Sequence, residues 1–331
     1  MSASTFRVAQ PMSGMRPAEE HDTAPARFFV VPRFPSLTTT VPKELVHRAS
    51  VSEVMLTDWA RVDDEHYTIA AQWPRGHSFF TTVDGCHDPL IAAETIRQAG
   101  ILLAHAEFGV PLGHHFLVSD LSVHVEPQHV RVDWTPAVLE LQVTCSEVKL
   151  RGKELLGFRI SVEIHRDGVL AATGGGSLTC ITPRVYRRLR AGRLAADGMP
   201  QVIPLSAPEA PQIVGRTSPT DVVLSPIGEP DRWQLRVDTR HPVLFDHMVD
   251  HVPGMVLMEA ARQATNATLG HASLPLDVVS EFKRYVELDA PCLVEARRLP
   301  ASAGKESVLV SAHQDDALVF RCTVSLPSAT D

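Results

Sequence analysis

Two apolar stretches of the sequence each carry a glutamate and, three residues later, an arginine. In "IAAETIRQAG" (91–100) these are Glu94 and Arg97, and in "VLMEAARQAT" (256–265) they are Glu259 and Arg262. Residues three apart share a face of a helix, so each pair presents a carboxylate and a guanidinium together. Burial among apolar residues would raise the carboxyl pKa toward the range of a general base, and the guanidinium could hold a phosphate through two hydrogen bonds.

These pairs also have structural interpretations. A glutamate and an arginine at this spacing ordinarily form a solvated pair on a helix surface. The double occurrence in mostly apolar runs favours burial instead, and a buried charge is costly unless it is paired or used. A buried ion pair that ties two parts of the protein together therefore stays open beside catalysis.

The loop before the second stretch, "HPVLFDHMVDHVPG" (241–254), concentrates polar side chains. His247 and His251 are candidates for proton transfer, and a capping or hydrogen-bonding role at the helix start is an equal alternative. Gly254 follows a proline at the predicted helix start, where free backbone N–H groups can polarise a carbonyl group.

Other polar residues near the two stretches have weaker signals. His87, seven residues before Glu94, is a candidate cleft residue that would contact substrate. His77 and His241 each follow a predicted strand, and we expect structural roles for both. Three aspartates are predicted to cap helix starts: Asp88, Asp246 and Asp250. The "HH" at 114–115 is expected in a loop, and no metal site is predicted.

The chain repeats itself. Four blocks recur in the same order about 150 to 168 residues apart, which indicates one fold used twice. They are "VHRASVSEVML" (46–56) with "VGRTSPTDVVL" (214–224), "DPLIAAETIRQAG" (88–100) with "VPGMVLMEAARQAT" (252–265), "VSDL" (118–121) with "VSEF" (279–282), and "HRDGVLAATGGGSL" (165–178) with "HQDDALVFRCTVSL" (313–326).

Each half is predicted to contain one long buried helix followed by antiparallel strands. The helices are expected at 89–107 and 254–269, and turns are expected at "RGKE" (151–154), "HRDG" (165–168) and "HQDD" (313–316). The "GGG" at 174–176 lies in a strand pattern and indicates close packing rather than a phosphate loop. An antiparallel sheet wrapped round one central helix is the hotdog arrangement, so the fold class is α+β, a tandem hotdog.

The predicted organisation is a flexible N-terminal arm at 1–40, a first hotdog domain at 41–182, an interdomain crossover at 183–212 and a second hotdog domain at 213–331.

Composition excludes several classes of protein. The chain has 331 residues and a net charge of −8, which gives no sign of nucleic-acid or membrane binding. Its five cysteines form no CxxC pair, and we find neither a signal-peptide core nor a membrane-spanning run. A cytoplasmic protein is the expectation, and no cofactor is indicated.

The segment "HVPGMVLMEAARQA" resembles the helix start of hotdog 3-hydroxyacyl-ACP dehydratases, in which a Pro-Gly precedes an apolar run ending in a catalytic glutamate. The Glu-x-x-Arg-Gln-Ala in both halves, with "FDHMVDHVPGMVLMEAARQ" in the second, more specifically resembles the A-factor biosynthesis (AfsA) family of γ-butyrolactone signal synthases. The resemblance covers about residues 40 to 326. Neither half has the His-x-x-Gly-type turn of dehydratases, which argues against dehydration.

The resemblance implies transfer of a β-ketoacyl group from an acyl carrier protein to a hydroxyl of dihydroxyacetone phosphate, as the first step toward a γ-butyrolactone-type or furan-type signalling molecule. A dehydratase or thioesterase, and a non-catalytic acyl-binding regulator, are the alternatives. A tandem hotdog pairs within one chain, so we expect a monomer or weak homodimer.

Paired hotdogs form clefts between units, so two clefts of unequal chemistry are predicted. One would combine Glu94 and Arg97 with the loop of His247 and His251. The other would combine Glu259 and Arg262 with the loop of His77 and His87. The second pair follows the sharper Pro-Gly helix start, and it is therefore our first choice for the working general base.

Overall fold

The computed structural model describes residues 38–192, 202–272, 274–301 and 304–328. Nearly all of the predicted N-terminal arm therefore lies outside the described residues. The elements of the first half are β1 (Leu56–Arg61), β2 (His66–Trp73), α1 (Pro89–Ala106), β3 (His115–Val125), β4 (Ala137–Arg151), β5 (Glu154–Arg166) and β6 (Val169–Ile181). Those that follow are α2 (Pro183–Arg190), β7 (Leu224–Pro226), β8 (Arg232–Leu235), α3 (Gly254–Leu269), β9 (Asp277–Phe282), β10 (Leu293–Arg298), β11 (Lys305–Gln314) and β12 (Ala317–Pro327).

The twelve strands described form one antiparallel sheet in the order β1-β2-β4-β5-β6-β3-β9-β12-β11-β10-β8-β7. The order within the first half is the mirror of that in the second, and the halves join where β3 pairs with β9. Each half wraps its sheet round one helix, with α1 against β3 and β6 and α3 against β10, β11 and β12. The predicted tandem hotdog is confirmed.

The two long helices lie close to their predicted bounds. Asp88 caps α1 by accepting the backbone N–H of Leu90 at 2.9 Å, and Pro89 occupies the first helical position, where no N–H is needed. Pro253 precedes α3 without a side-chain cap, and Gly270 ends it in the left-handed conformation. Because almost every residue of both helices is buried, their charged residues must find partners inside the protein.

The turns predicted between strands are also present. β4 and β5, β5 and β6, and β11 and β12 form hairpins at the three predicted segments. The Gly174–Gly176 run lies within β6, where a Cβ on any of the three glycines would collide with a backbone oxygen of a neighbouring strand. This close approach explains the glycines without a ligand.

The crossover contains more structure than the sequence indicated. It opens with α2, which Thr182 caps through the N–H of Val185. Tyr186 and Arg190, one turn apart, are buried, while Arg184, Arg187 and Arg188 are exposed. The domain bounds 41–182 and 213–331 stay a prediction. No helix in the described part of the chain has the length and apolarity needed to cross a membrane.

Candidate active site

Glu94 lies at the centre of a cluster of hydrogen bonds in the first half. Its carboxylate accepts bonds from Arg48 at 2.7 Å, from two guanidinium nitrogens of Arg97 at 2.9 and 2.8 Å, and from Gln98 at 2.7 Å. Gln98 also spans to the backbone of Glu53 and Met55. The cluster fixes α1 to the segment that precedes β1.

The second half repeats this cluster residue for residue. Glu259 accepts bonds from Arg216 at 2.8 Å, from Arg262 at 3.0 and 2.5 Å, and from Gln263 at 2.5 Å. The first arginine of each cluster also donates to a carbonyl of the opposite half, Arg48 to Val243 and Arg216 to Phe79. The two clusters thus tie the halves together, as the structural interpretation of the ion pairs supposed.

The expected rise in the glutamate pKa is wrong. Burial alone would raise it, but Arg48 and Arg97 outweigh burial and lower the pKa of Glu94 to about 2. Arg216 and Arg262 do the same for Glu259, whose pKa is also lowered to about 2. Both carboxylates are fully buried and bound by three side chains, an arrangement that suits a structural anion and not a general base.

A cavity of about 520 Å³ lies beside the first cluster, and residues of that cluster form part of its wall. Arg48 and Arg97 line it, while Glu94 sits behind them. Apolar side chains from both halves supply much of the remaining wall, among them Ile101, Phe116, Leu257, Met258 and Phe282. Its volume is that of a typical ligand pocket.

The loop before α3 holds two aspartate–histidine pairs, of which Asp246, His247 and His251 line this cavity. His247 donates through Nδ1 to Asp246 at 2.5 Å, and His251 donates through Nδ1 to Asp250 at 2.8 Å. Asp246 also accepts the backbone N–H of Ala49 and lies 3.3 Å from Arg48. Burial alone would raise the pKa of Asp246, but His247 and Arg48 lower it to about 2, so the carboxylate stays ionised and orients the ring.

Asp250 connects the second pair to the crossover helix. It accepts the Tyr186 hydroxyl at 2.5 Å and Arg190 at 3.0 Å, and Arg190 continues to Glu287 at 2.6 Å. Tyr186 stacks on the ring of His115 with centroids 3.6 Å apart. Burial, and then the bond to Asp250, raise the pKa of Tyr186 well above its ordinary value. Neither Asp246 nor Asp250 caps α3, so that prediction is wrong.

The start of α3 forms part of the cavity wall. Gly254 and Met255 line the cavity, and no side chain caps the helix. Gly254 packs so closely on Phe282 that an added Cβ would lie 3.0 Å from the ring. The first N–H groups of a helix carry partial positive charge, so this end can stabilise a developing oxyanion.

The start of α1, which corresponds to this position in the other half, carries a buried aspartate. Asp88 is buried and lies in the field of Arg262 and Arg216; burial raises its pKa and the two arginines oppose the rise. The Arg262 side chain is 3% exposed against 18% for Arg97. His87 is buried against Trp73, and its pKa is lowered to about 4, chiefly by burial. Neither His87 nor Arg262 lines the cavity.

The structure therefore brings together only some of the residues proposed from the sequence. Arg97, His247, His251 and Gly254 meet at the cavity. Glu94 lies behind it, and Glu259, Arg262 and His87 lie elsewhere. His77 and His241 have the expected structural roles, since each accepts two backbone N–H groups of its loop.

Sequence reasoning missed Arg48, Tyr186 and the orienting role of Asp246. The repeat held a signal for Arg48, because it matches Arg216 in "VHRAS" and "VGRTS". His115 belongs to β3 and not to a loop, whereas His114 lies in the short connection before that strand. Among the described residues no group of three or more histidine, cysteine, aspartate or glutamate side chains could hold a metal ion.

Fold and cavity together define a double hotdog protein with an apolar pocket bordered by arginines and oriented histidines. The chain matches the A-factor biosynthesis hotdog domain over residues 31–182 and 201–327, and it belongs to that family.

Named relatives extend over nearly the same region. A 2-oxo-3-(phosphooxy)propyl 3-oxoalkanoate synthase of Streptomyces virginiae is 52% identical over 297 residues, covering 89% of this chain and 100% of the relative. A synthase of the same name from Streptomyces griseus is 40% identical and covers 86% and 95%. A putative oleoyl thioesterase from Lactobacillus plantarum superposes with a TM-score of 0.51 at 13% identity, over 81% of this chain and 98% of that one, which supports the fold alone.

Proposed function

We propose that this protein transfers a 3-oxoacyl group from the thioester of an acyl carrier protein to the hydroxyl of dihydroxyacetone phosphate. The product is a 2-oxo-3-(phosphooxy)propyl 3-oxoalkanoate, the compound named in the synthases it resembles. The observation that carries the proposal is one cavity in which apolar side chains, Arg97 and the Asp246–His247 pair meet at the uncapped start of α3.

The apolar part of the cavity would hold the acyl chain. Side chains of α1, β3 and α3 form this wall, so both halves contribute to it. The thioester carbonyl would then lie at the backbone N–H groups of Gly254 and Met255, which can stabilise the oxyanion of the tetrahedral intermediate.

His247 is the base in this proposal. Asp246 binds its Nδ1–H, which leaves Nε2 with a lone pair for the proton of the substrate hydroxyl. As that proton moves to Nε2, the hydroxyl oxygen bonds to the thioester carbon. The carbon–sulfur bond then breaks, and the thiolate takes the proton from Nε2 of His247, which returns the ring to its neutral form. Glu94 and Glu259 remain ionised and hold the arginines.

Arg97 and Arg48 would bind the phosphate. Both arginines line the cavity. Arg97 bonds Glu94 through two of its three guanidinium nitrogens, and Arg48 bonds Glu94 and the carbonyl oxygen of Val243 and lies 3.3 Å from Asp246. A phosphate is an anion that an arginine pair can bind through several hydrogen bonds, and the substrate would supply it in the first half.

The carrier protein, the cytoplasmic location and the monomeric or weakly dimeric state belong to the same proposal. The exposed Arg184, Arg187, Arg188 and Arg284 give an acidic carrier a positive surface near the Tyr186 wall of the cavity. The two halves already pair through β3 and β9, which leaves no unsatisfied hotdog pairing for a second copy to fill.

The test is to incubate pure protein with a 3-oxoacyl carrier protein, with and without dihydroxyacetone phosphate, and to follow products by mass spectrometry. We expect the phosphorylated ester only when dihydroxyacetone phosphate is present. Hydrolysis of the thioester at the same rate without it would identify a thioesterase and overturn the proposal.

A further inference from the structure

His47 and His105 form a hydrogen-bonded pair beside the cavity. Their Nε2 atoms lie 2.9 Å apart, and Nδ1 of His105 lies 2.6 Å from the carbonyl oxygen of Val110. The ring of His47 lines the cavity, next in sequence to Arg48. The roles assigned to the loop histidines do not use this pair.

The hydrogen bonds determine which nitrogen of His47 carries the proton. A carbonyl oxygen only accepts, so Nδ1 of His105 must be the donor to Val110. In the neutral ring, Nε2 of His105 is then an acceptor, and Nε2 of His47 must donate to it. The remaining atom, Nδ1 of His47, therefore carries a lone pair, and no hydrogen bond to a described residue engages it.

The repeat shows that the pair belongs to the half with the cavity. By the alignment of "VHRAS" with "VGRTS", His47 corresponds to Gly215, and by the alignment of α1 with α3, His105 corresponds to Gly270. Both histidines are thus glycines in the half where arginines face a buried aspartate. They are present together or absent together.

The backbone conformation of His47 also indicates that its side chain has a use. His47 has φ 51° and ψ 56°, and Gly215 has φ 71°, so both halves use the left-handed conformation at this position. Glycine adopts it freely, whereas a side chain is disfavoured there. A histidine kept in a conformation that suits glycine indicates that its side chain has a use.

The surroundings of His47 are cationic or neutral. Burial, and then the groups that face it from α1, β3 and the loop before α3, lower its pKa to about 3; these groups are His105, Arg97, His247 and His115. Arg48 adjoins it and is itself held by Glu94 and Asp246. The protein therefore presents an unprotonated nitrogen near positive charge, a setting that suits an anion carrying a proton.

We infer that His47, oriented by His105, completes a binding site for a phosphate monoester together with Arg48 and Arg97. In this site one proton is shared between a phosphate oxygen and Nδ1 of His47. The inference rests on the acyl transfer proposed above, because dihydroxyacetone phosphate is the ligand. A phosphate monoester has a second pKa near 6. At pH 7.5 most of the ligand is dianionic, so binding must take up about one proton from solution.

The pH dependence follows from this uptake. Affinity for the phosphate falls as the pH rises above the second phosphate pKa, by up to about tenfold for each pH unit, because one more proton is bound in the complex than in the separate partners. In a binding site made of arginines alone, the affinity would rise with pH near that pKa, since arginines bind the dianion better than the monoanion.

The test is isothermal titration of dihydroxyacetone phosphate into the full-length protein without an acyl donor, at pH 7.5 in two buffers of different ionisation enthalpy. The difference in heat gives the number of protons taken up. We expect about one for the unaltered protein.

Two variants of His47 separate hydrogen bonding to the phosphate from proton uptake. The new residues are glycine and asparagine, and both tolerate the left-handed backbone at this position. In His47→Gly, which copies the other half, the dissociation constant should rise about tenfold or more and proton uptake should disappear. In His47→Asn, the amide can turn its N–H to the dianion, so binding should stay within about threefold while proton uptake disappears. His66→Asn, at an exposed histidine paired with Asp63, is the control and should match the unaltered protein.

The outcomes distinguish this inference from the proposed function. Proton uptake that persists in His47→Gly, with unchanged affinity, overturns the inference even if acyl transfer is present. No detectable binding of the phosphate by the unaltered protein overturns it as well. A third outcome is proton-coupled binding that depends on His47, with no acyl transfer when a donor is added. This result would support the phosphate-binding site and overturn the proposed function.

Discussion

His247 and Glu94 show how neighbours decide what a titratable residue does. Each lies near the cavity, yet Glu94 is bound by two arginines and a glutamine, while His247 is bonded through Nδ1 and its Nε2 has no hydrogen bond to a described residue. The sequence spacing placed Glu94 and Arg97 on one face correctly. It could not show that Arg48, forty-six residues earlier, would reverse the direction of the carboxyl pKa shift.

His247→Asn tests the base directly. Loss of the imidazole should lower kcat about a hundredfold or more, with the melting temperature nearly unchanged, because the side chain is partly exposed and a general base contributes about this much. Steady-state kinetics of ester formation and thermal melting measure the two effects. His66→Asn removes a comparable aspartate–histidine pair at an exposed site and should leave kcat unchanged. Equal kcat for His247→Asn and the unaltered protein would remove His247 from the mechanism.

Glu259→Gln should act on stability and not on chemistry. Arg216 and Arg262 would lose their shared anion in a fully buried site, which costs about 3–5 kcal/mol of the free energy of unfolding. Because the pKa of Glu259 is lowered to about 2, its contribution is present above the ordinary carboxyl pKa and is lost as the pH falls toward 2. Chemical denaturation at pH 7 and pH 3 should therefore show a smaller difference between variant and unaltered protein at pH 3. A folded variant with kcat reduced a hundredfold and unchanged stability would restore Glu259 as the base.

At the scale of elements, the helices and hairpins were predictable and the crossover was not. Apolar runs that begin at or just after a proline locate α1 and α3, Gly270 marks the end of α3, and turn residues locate the hairpins. α2 has only eight residues, and four of them are arginines. Its position depends on Asp250 and Glu287, which are 60 and 97 residues away from Arg190, so local pattern carries little information about it.

Tyr186→Phe tests whether α2 belongs to the site. Phenylalanine keeps the stacking on His115 but loses the hydrogen bond to Asp250, which helps to hold the His251 pair. We expect kcat to fall about three- to tenfold, with little change in melting temperature, because one hydrogen bond to a charged group is lost. Leu189→Ala, at an exposed position of the same helix, should leave kcat unchanged. If Tyr186→Phe also leaves kcat unchanged at saturating carrier protein, the role of α2 is structural only.

At the scale of the whole molecule, the duplication explains both what the sequence revealed and where it misled. The sequence predicts two clefts of unequal chemistry, and the Pro-Gly start of α3 favours the one with Glu259. The cavity matches the other predicted cleft, because it combines Arg97 with the loop of His247 and His251. The helix starts differ at the N-cap: Asp88 occupies the position before α1 that Pro253 occupies before α3. Which cleft holds a cavity depends on tertiary packing, which the repeat pattern alone does not contain.

The most direct measurement compares Arg97→Lys with Arg262→Lys in steady-state kinetics of ester formation. Lysine keeps the charge but not the planar fork, so at position 97 it cannot bind both Glu94 and a phosphate as arginine does. We predict that Arg97→Lys raises the KM for dihydroxyacetone phosphate about tenfold or more and leaves the KM for the acyl carrier protein within about twofold. Arg262→Lys should lower the melting temperature and leave both KM values unchanged. The reverse pattern, with KM for the phosphate raised only by Arg262→Lys, would contradict the assignment of the working site to the first-half arginines.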